Sequence, residues 1–578
     1  MSFLTWLSYF IGVWASVYLV DTTLRTLPFT RQRYHEITVC LGISIDILQA
    51  RIFTQRFNRL FHFLCRFDTL PWTAWFTCGV LFSVVCMAFS VYLFTLLVYN
   101  TLMQKPIKGG TLTPVMPGVN LPISHLGFYV LTLLLCAFLH EGGHALAALR
   151  ERVRLHGFGL FLFGFYPGAY VDLNTADLQS LTPFSQLRVY CAGVWHNAVI
   201  AVLSVAVFYS MPVLLSPGYH TGNGVGVTFL RENSVVTGHR GLSVGDAITR
   251  INSCPVTNQS DWFHCLEIAH SRPSGYCVSG LYLNTMDTSS NDIKSSQAAG
   301  RSLAAYVSKF EGSEGAIAGQ EPGPNAKIST NVDCCAHESA STHLCFTYLA
   351  PSKHGYKSPR YACLPARPVT ERATCHSASD CGPPSLVRAS VSSGGSSAAL
   401  SDSSGMHVAP PSRSVLCVVP SPPDNQTRLV RLVHSRKEAP AVLFLGPLED
   451  LIASVGVSDY VSRWPSLLSP KFPALLSLFC SYLFSLSGAL VLLNVIPCYA
   501  LDGQWILGAL IDLCLSGCLP CRHKRQCLFR FILSGGTVLL CANLIFACWY
   551  FFLDFSRVDV LPASSASTVG SAGVLGVA

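Results

Sequence analysis

Residues 129–150, YVLTLLLCAFLHEGGHALAALR, form an apolar run long enough to lie buried in lipid, and its second half carries His140-Glu141-Gly142-Gly143-His144. On a helix, residues four apart project from one face about a turn apart, so the two imidazoles can share one metal ion while Glu141 points at the same site. In a soluble helix this spacing also arises by chance. In hydrocarbon, ionisable side chains are costly, face a bundle interior or a water-filled cavity, and mark function. Three of them within five residues, with two glycines that admit close backbone approach, point to a metal site rather than to packing.

The rest of the chain fits a membrane setting. Of 578 residues 50% are hydrophobic and 12% charged, against about 25% charged in a soluble domain. The net charge of +8 is scattered over loops, which suits cytoplasmic flanks of membrane spans and not a nucleic-acid surface. The expected fold is a polytopic α-helical membrane protein of about six spans, with one re-entrant β-hairpin-like segment and a lumenal, PDZ-like, Cys-rich insert. The expected division is an N-terminal membrane region over 1–215, the first part of a PDZ-like domain over 216–285, a Cys-rich, partly disordered insert over 286–470, a C-terminal membrane region over 471–555 and a disordered tail over 556–578.

Residues 2–20 are apolar, lack a basic leader and show no small-residue cleavage site, so a retained first span is expected. The arginine-rich stretch 21–70 leads to 72–99, long enough for one tilted span or a hairpin of two short ones. Arg150, Arg152 and Arg154 place the end of the HEGGH helix on the cytoplasmic side. Residues 156–171, HGFGLFLFGFYPGAYV, are too short and glycine-rich for a span. Such backbone at membrane depth needs cover from protein or a water-filled cavity. A hairpin beside the metal, offering a strand edge to an extended peptide, fits; an irregular interfacial loop is the alternative. The span at 187–215 contains Trp195-His196-Asn197, which either line the site or bond to a neighbouring helix.

Ten cysteines (254, 265, 277, 334, 335, 345, 363, 375, 381 and 417) lie in the polar region 217–470. Their even number and the absence of paired CxxC spacings favour disulfides over a zinc ribbon, with connectivity unreadable, and disulfides imply a lumenal compartment. Glycosylation sequons at Asn258 and Asn425 agree with that side. The pattern Gly245-Asp246, Ile251-Asn252 and Val256 resembles the second half of a PDZ domain, a module that binds peptides by strand addition. Low-complexity stretches at 285–325 and 385–414 are expected to be disordered. Cys514, Cys518, Cys521 and Cys527 sit in a short basic segment that reads as a cytoplasmic loop, with a zinc knuckle or palmitoylation as alternatives.

The membrane returns at 472–513, where Asn494-Val-Ile-Pro497 is followed by Leu501-Asp502-Gly503. Pro497 removes a helical hydrogen bond, so the helix should break and let Asp502 turn inward. A carboxylate in an apolar span needs a partner, and an ion already held by two imidazoles is the strongest one in this chain; capping of the following half-helix is the modest alternative.

With HEGGH, AGVWHN at 192–197, GLSVGD at 241–246, CPVTNQSDW at 254–262, CLPAR at 363–367, SLSGAL at 485–490 and PCYALDGQWIL at 497–507, the chain resembles the site-2 protease family of intramembrane zinc metalloproteases, its vertebrate members in particular. The resemblance covers nearly the whole sequence. It departs where the family's commoner NPxP reads Asn494-Val-Ile-Pro497. It implies one zinc ion on His140, His144 and Asp502, with Glu141 as general base and Asn494 as a catalytic amide holding substrate backbone or the oxyanion. It further implies membrane-anchored transcription factor precursors as substrates (sterol regulatory element-binding proteins and an ER-stress factor), first cut on the lumenal side, in Golgi or endoplasmic reticulum membranes. No nucleic acid is contacted directly. Two imidazoles and a carboxylate leave a fourth position open for water, as hydrolysis requires. A zinc transporter or a non-catalytic metal-binding scaffold would place His and Asp similarly, but needs no Glu beside the first His.

Overall fold

Each long apolar run folds as a helix, because a chain in hydrocarbon must satisfy its backbone groups within its own segment. A computed structural model describes residues 3–65, 72–103, 122–164, 166–232, 234–238, 240–289, 334–335, 342–351, 357–381, 415–422, 424, 426–436 and 439–558. Two compact units result, 1–210 with 476–578, and 211–475.

The first unit opens with α1 (Phe3–Thr26), α2 (Arg31–Leu41), β1 (Ile43–Asp46), β2 (Gln49–Thr54), α3 (Arg56–Leu64) and α4 (Trp72–Leu102). The HEGGH helix α5 (Leu126–Arg150) follows, then β3 (Leu155–Phe163), β4 (Tyr166–Leu173), α6 (Thr175–Ser180), α7 (Pro183–Tyr190) and α8 (Ala192–Leu214). Three C-terminal helices complete it, α9 (Phe472–Val495), α10 (Asp502–Leu515) and α11 (Arg522–Val558). Among the described residues five helices are long and apolar enough to cross a membrane, those containing α4, α5, α8, α9 and most of α11. Residues 3–20 of the expected first span lie in helix α1, which is not among these five. The alternative of a hairpin at 72–99 falls away, since α4 is one unbroken helix of 31 residues, about 46 Å long and able to cross a core of ~30 Å with tilt.

The glycine-rich segment forms the expected hairpin, β3 against β4, with Phe163 opposite Tyr166. The sequence reading did not anticipate that β2 pairs along β3, from Gln49 opposite Phe163 to Thr54 opposite Phe158. The product is an antiparallel sheet in the order β1-β2-β3-β4, which leaves β4 at an edge. The Trp14 indole of α1 donates to the Gly164 carbonyl at the hairpin tip, 3.1 Å away. Phe158, Phe61, Ala145 and Ala169 form a buried cluster that fixes the sheet and α3 against α5. A second cluster, with Leu187, Val194, Val495 and Ile506 wholly buried, joins α4, α7, α8, α9 and α10. Within lipid this packing acts through van der Waals contact rather than water exclusion.

The second unit contains two principal sheets. One has β6 (Val225–Leu230), β7 (Ala247–Ile251), β8 (Cys254–Pro255), β14 (Thr427–His434), β15 (Val442–Pro447) and β16 (Val455–Ser458), in the order β15-β14-β7-β6-β16 with β8 beside β7. The other has β9 (Gly275–Ser279), β10 (His343–Pro351), β11 (Lys357–Pro365), β12 (Thr374–Cys375) and β13 (Val415–Pro420), in the order β11-β10-β13-β9-β12. Short strands β5 (Tyr219–His220) and β17 (Val461–Ser462) pair separately. The first sheet therefore draws strands from both sides of the expected boundary at 285, and β9 from before that boundary belongs to the second sheet. The predicted Gly-Asp turn is real: Asp246 accepts from Ser243 N at 2.7 Å and is paired with Arg436 at 2.8 Å. Asn252 sits in the left-handed region at the following turn.

All ten insert cysteines are bonded, as 254–265, 277–381, 334–345, 335–363 and 375–417. Asn258 is exposed and caps the helix Gln259–Ser271 by accepting from Asp261 N. Asn425, most of 285–325, all of 385–414 and the tail after 558 lie outside the described residues. Cys514, Cys518, Cys521 and Cys527 are free and exposed.

Candidate metal centre

The buried stripe of α5 includes Leu133, Cys136, His140, Gly143, His144 and Ala147, at the three- and four-residue spacing of one helix face. His140 and His144 thus face the bundle. Glu141 lies beside the stripe.

Asp502 arrives from the predicted break. Helix α9 ends at Val495, Pro497 offers no N–H to continue it, and Ala500 adopts a left-handed backbone. The chain then folds back so tightly that a Cβ on Gly503 would come within 2.0 Å of the Ile496 carbonyl oxygen. Only glycine fits there, and α10 begins with Asp502 directed at α5.

His140 Nε2 lies 3.0 Å from Asp502 Oδ2, His144 Nε2 lies 3.3 Å from the same oxygen, and the two Nε2 atoms are 3.2 Å apart. The side chains are 7%, 10% and 23% exposed for His140, His144 and Asp502. A tetrahedral ion with ligands at about 2.0–2.1 Å requires donors about 3.3 Å apart, so this triangle matches zinc within tenths of an ångström. The space between the donors is kept by Gly193 on α8. A Cβ at Gly193 would sit 2.3 Å from His144 Nε2 and 2.6 Å from His140 Nε2, close to where an ion would rest. Two nitrogens and one carboxylate oxygen are three protein ligands, the number found in catalytic rather than structural zinc sites. Among the described residues one other group of potential ligands converges, Cys277, Cys375 and Cys381, but these cysteines are held in disulfides.

The backbone and side chains behind the ligands orient them. His144 Nδ1 donates to the Val189 carbonyl at 2.8 Å, which leaves Nε2 free to ligate. His140 Nδ1 faces the amide of Asn197, 3.0 Å away. Neighbouring His196 turns to the Ala192 carbonyl of its own helix and packs near Trp75 and Phe76. Of this pair Asn197 reaches the site, whereas His196 bonds within its own helix rather than to a neighbouring one. Glu141 Oε2 accepts from Val171 N at 3.0 Å. This bond shows that β4 directs the Val171 N–H away from β3, towards α5.

At the end of α5, Arg154 holds Asp177 of α6 through two bonds, 2.7 and 2.9 Å long. The guanidinium keeps the Asp177 carboxyl below the usual carboxylate range. Arg188 of α7 pairs with Glu151 at 2.9 Å. These contacts fasten α6 and α7, and with α7 the Val189 carbonyl, to the end of the ligand helix.

The sequence profile of Peptidase family M50 matches residues 128–531, a span that contains every one of these metal-centre residues. The chain belongs to peptidase family M50. It is also similar to the membrane-bound transcription factor site-2 protease homolog of Arabidopsis thaliana, 26% identical over 505 residues that cover 84% of this chain and 87% of the relative. This M50 chain is accordingly an integral membrane metalloprotease. Of the residues singled out from sequence, its structure brings together His140, His144 and Asp502, with Glu141 adjoining. Asn494 is half-buried in the last turn of α9. The sequence reading passed over Gly193, Val189 and Val171. Gly193 carries a faint signal, a glycine one turn before an asparagine in an apolar helix, whereas the two backbone groups carry none.

Proposed function

We propose that this M50 protease cleaves a peptide bond within a membrane-embedded segment of its substrates, with one zinc ion held by His140, His144 and Asp502. The observation that carries the reading is the convergence of three ligand atoms within 3.3 Å, on residues up to 362 positions apart. Zinc bound there would polarise the scissile carbonyl and lower the pKa of water to about 7. Glu141 is the group placed to take a proton from the attacking water and pass it to the leaving amine. Asn494, near the helix break, supplies an amide for substrate backbone or the oxyanion.

A helical substrate hides its carbonyls in its own hydrogen bonds, so cleavage requires an extended form. The edge of β4, which pairs with no further strand among the described residues and whose Val171 N–H is held by Glu141, would take one by strand addition once a substrate displaces that bond. The name of the Arabidopsis relative supports membrane-anchored transcription factors as the substrate class. Five disulfides support a lumenal insert in a Golgi or endoplasmic reticulum membrane, with Asn258 and Asn425 as acceptor sites for glycans and α1 as the first span. The edge strand β16, in the sheet that carries the Gly-Asp turn, offers a PDZ-like surface for a trimmed substrate end.

Replacing Glu141 by Gln separates this reading from metal transport. The variant should hold zinc at the wild-type stoichiometry and lose cleavage of a membrane-helix substrate by about 100-fold or more, the usual range for general-base removal. Full cleavage by this variant would refute the assignment of the base.

A further inference from the structure

The two histidines of the centre are not held alike. His144 Nδ1 bonds to a backbone carbonyl, which only accepts, so this ring is fixed with its proton on Nδ1 and its Nε2 lone pair free. His140 Nδ1 faces a side-chain amide, which can accept or donate. That amide belongs to Asn197, itself fully buried, and its Oδ1 is a buried oxygen with no hydrogen-bond partner. The two ends of an amide exchange by a half turn: with Oδ1 set on His140 Nδ1, Asn197 accepts the ring proton, its buried oxygen gains a partner, and His140 Nε2 is left free to ligate.

We propose that Asn197 is a positioning residue that holds the His140 proton on Nδ1, and with it the tautomer that ligates through Nε2. The proposal rests on His140, His144 and Asp502 being the ligands. Helix α8 then contributes twice to the centre, Gly193 by leaving room and Asn197, one turn on, by setting the ring.

The test is the zinc affinity of the full chain in nanodiscs, measured by competition with a chromophoric chelator for the wild type, Asn197→Leu, Asn197→Asp and His140→Ala, with thermal melting of each metal-free protein. Removal of a group that orients a ligand histidine costs about 10- to 100-fold in metal affinity. Asn197→Leu should show that loss. Asn197→Asp, isosteric and an obligate acceptor, should bind within about threefold of the wild type or tighter. If the Leu variant fails to fold, the Asp variant decides through imidazole 15N spectra, which should place the His140 proton on Nδ1 even without zinc. Equal losses in both variants, unchanged binding in Asn197→Leu, or an Asp variant with the proton on Nε2 would each overturn the proposal. Loss of zinc in His140→Ala with retention in Asn197→Leu overturns this inference alone. Wild-type affinity in His140→Ala overturns the ligand assignment beneath it.

Discussion

Gly193→Ala gives the sharpest consequence of the geometry, because a single methyl group would strike both ligand rings and the space between them. A methyl group at this position would lie 2.3 Å from His144 Nε2 and 2.6 Å from His140 Nε2. Ordinary carbon–nitrogen contact is about 3.4 Å, so both rings must retreat, each by about 1 Å, several times the ~0.2 Å tolerance of a metal–ligand distance. The rings have little freedom to retreat, since each is bonded at its far nitrogen, to Val189 and to Asn197. The methyl group also occupies the ion's own space. Losing one ligand and the cavity together should weaken zinc binding by at least ~100-fold, or about 2.7 kcal/mol. In the helix itself alanine is better than glycine by about 1 kcal/mol. Forcing a methyl group against two buried rings costs about 1–3 kcal/mol, which offsets that gain, so the metal-free variant should melt at or below the metal-free wild type. Chelator competition and calorimetry on the purified chain read both quantities. A Gly193→Ala protein that binds zinc as the wild type does would refute the placement of the ion against α8.

Two further outcomes follow from the sheet edge and the insert. Val171→Pro removes the N–H that Glu141 accepts and one donor of the β4 edge; a bond to a charged group contributes about 1.5–3 kcal/mol, so cleavage should fall roughly 10- to 100-fold with zinc content unchanged, as measured by peptide-release kinetics and metal analysis. Serine at both Cys277 and Cys381 opens a bridge spanning 104 residues, for which loop entropy predicts about 4.7 kcal/mol, whereas opening Cys254–Cys265, across 11 residues, should cost about 3 kcal/mol or less; denaturant unfolding of the insert should preserve that order.

What the sequence disclosed and what it concealed divide along physical lines. His140 and His144 were legible because a four-residue spacing has a fixed meaning on a helix. Asp502 was legible because a carboxylate beside Pro497 in an apolar run has few other reasons to exist. The hairpin at 155–173 could be anticipated from its glycines and aromatics, but its extension by β1 and β2 could not. Those strands are short, Arg51 interrupts β2, and β2 joins β3 across more than a hundred residues, a pairing that nothing local encodes. The run at 72–99 left one helix and two in competition because length alone does not decide between a tilted span and a hairpin. Asn197 was ambiguous for a similar reason, as a buried amide serves packing and ligand orientation equally well. The disulfide partners were hidden by combinatorics: ten cysteines give no local rule that joins Cys277 to Cys381 and leaves Cys375 for Cys417.

The central claim is that α5 and the broken α9–α10 segment build one zinc site. Its most direct test is the metal content of the purified full chain, wild type against His140→Ala, His144→Ala and Asp502→Ala, each checked for folding by its insert disulfides and melting transition. The wild type should carry one zinc ion per chain, and each substitution should remove it. Stoichiometric zinc in a folded Asp502→Ala protein would contradict the account.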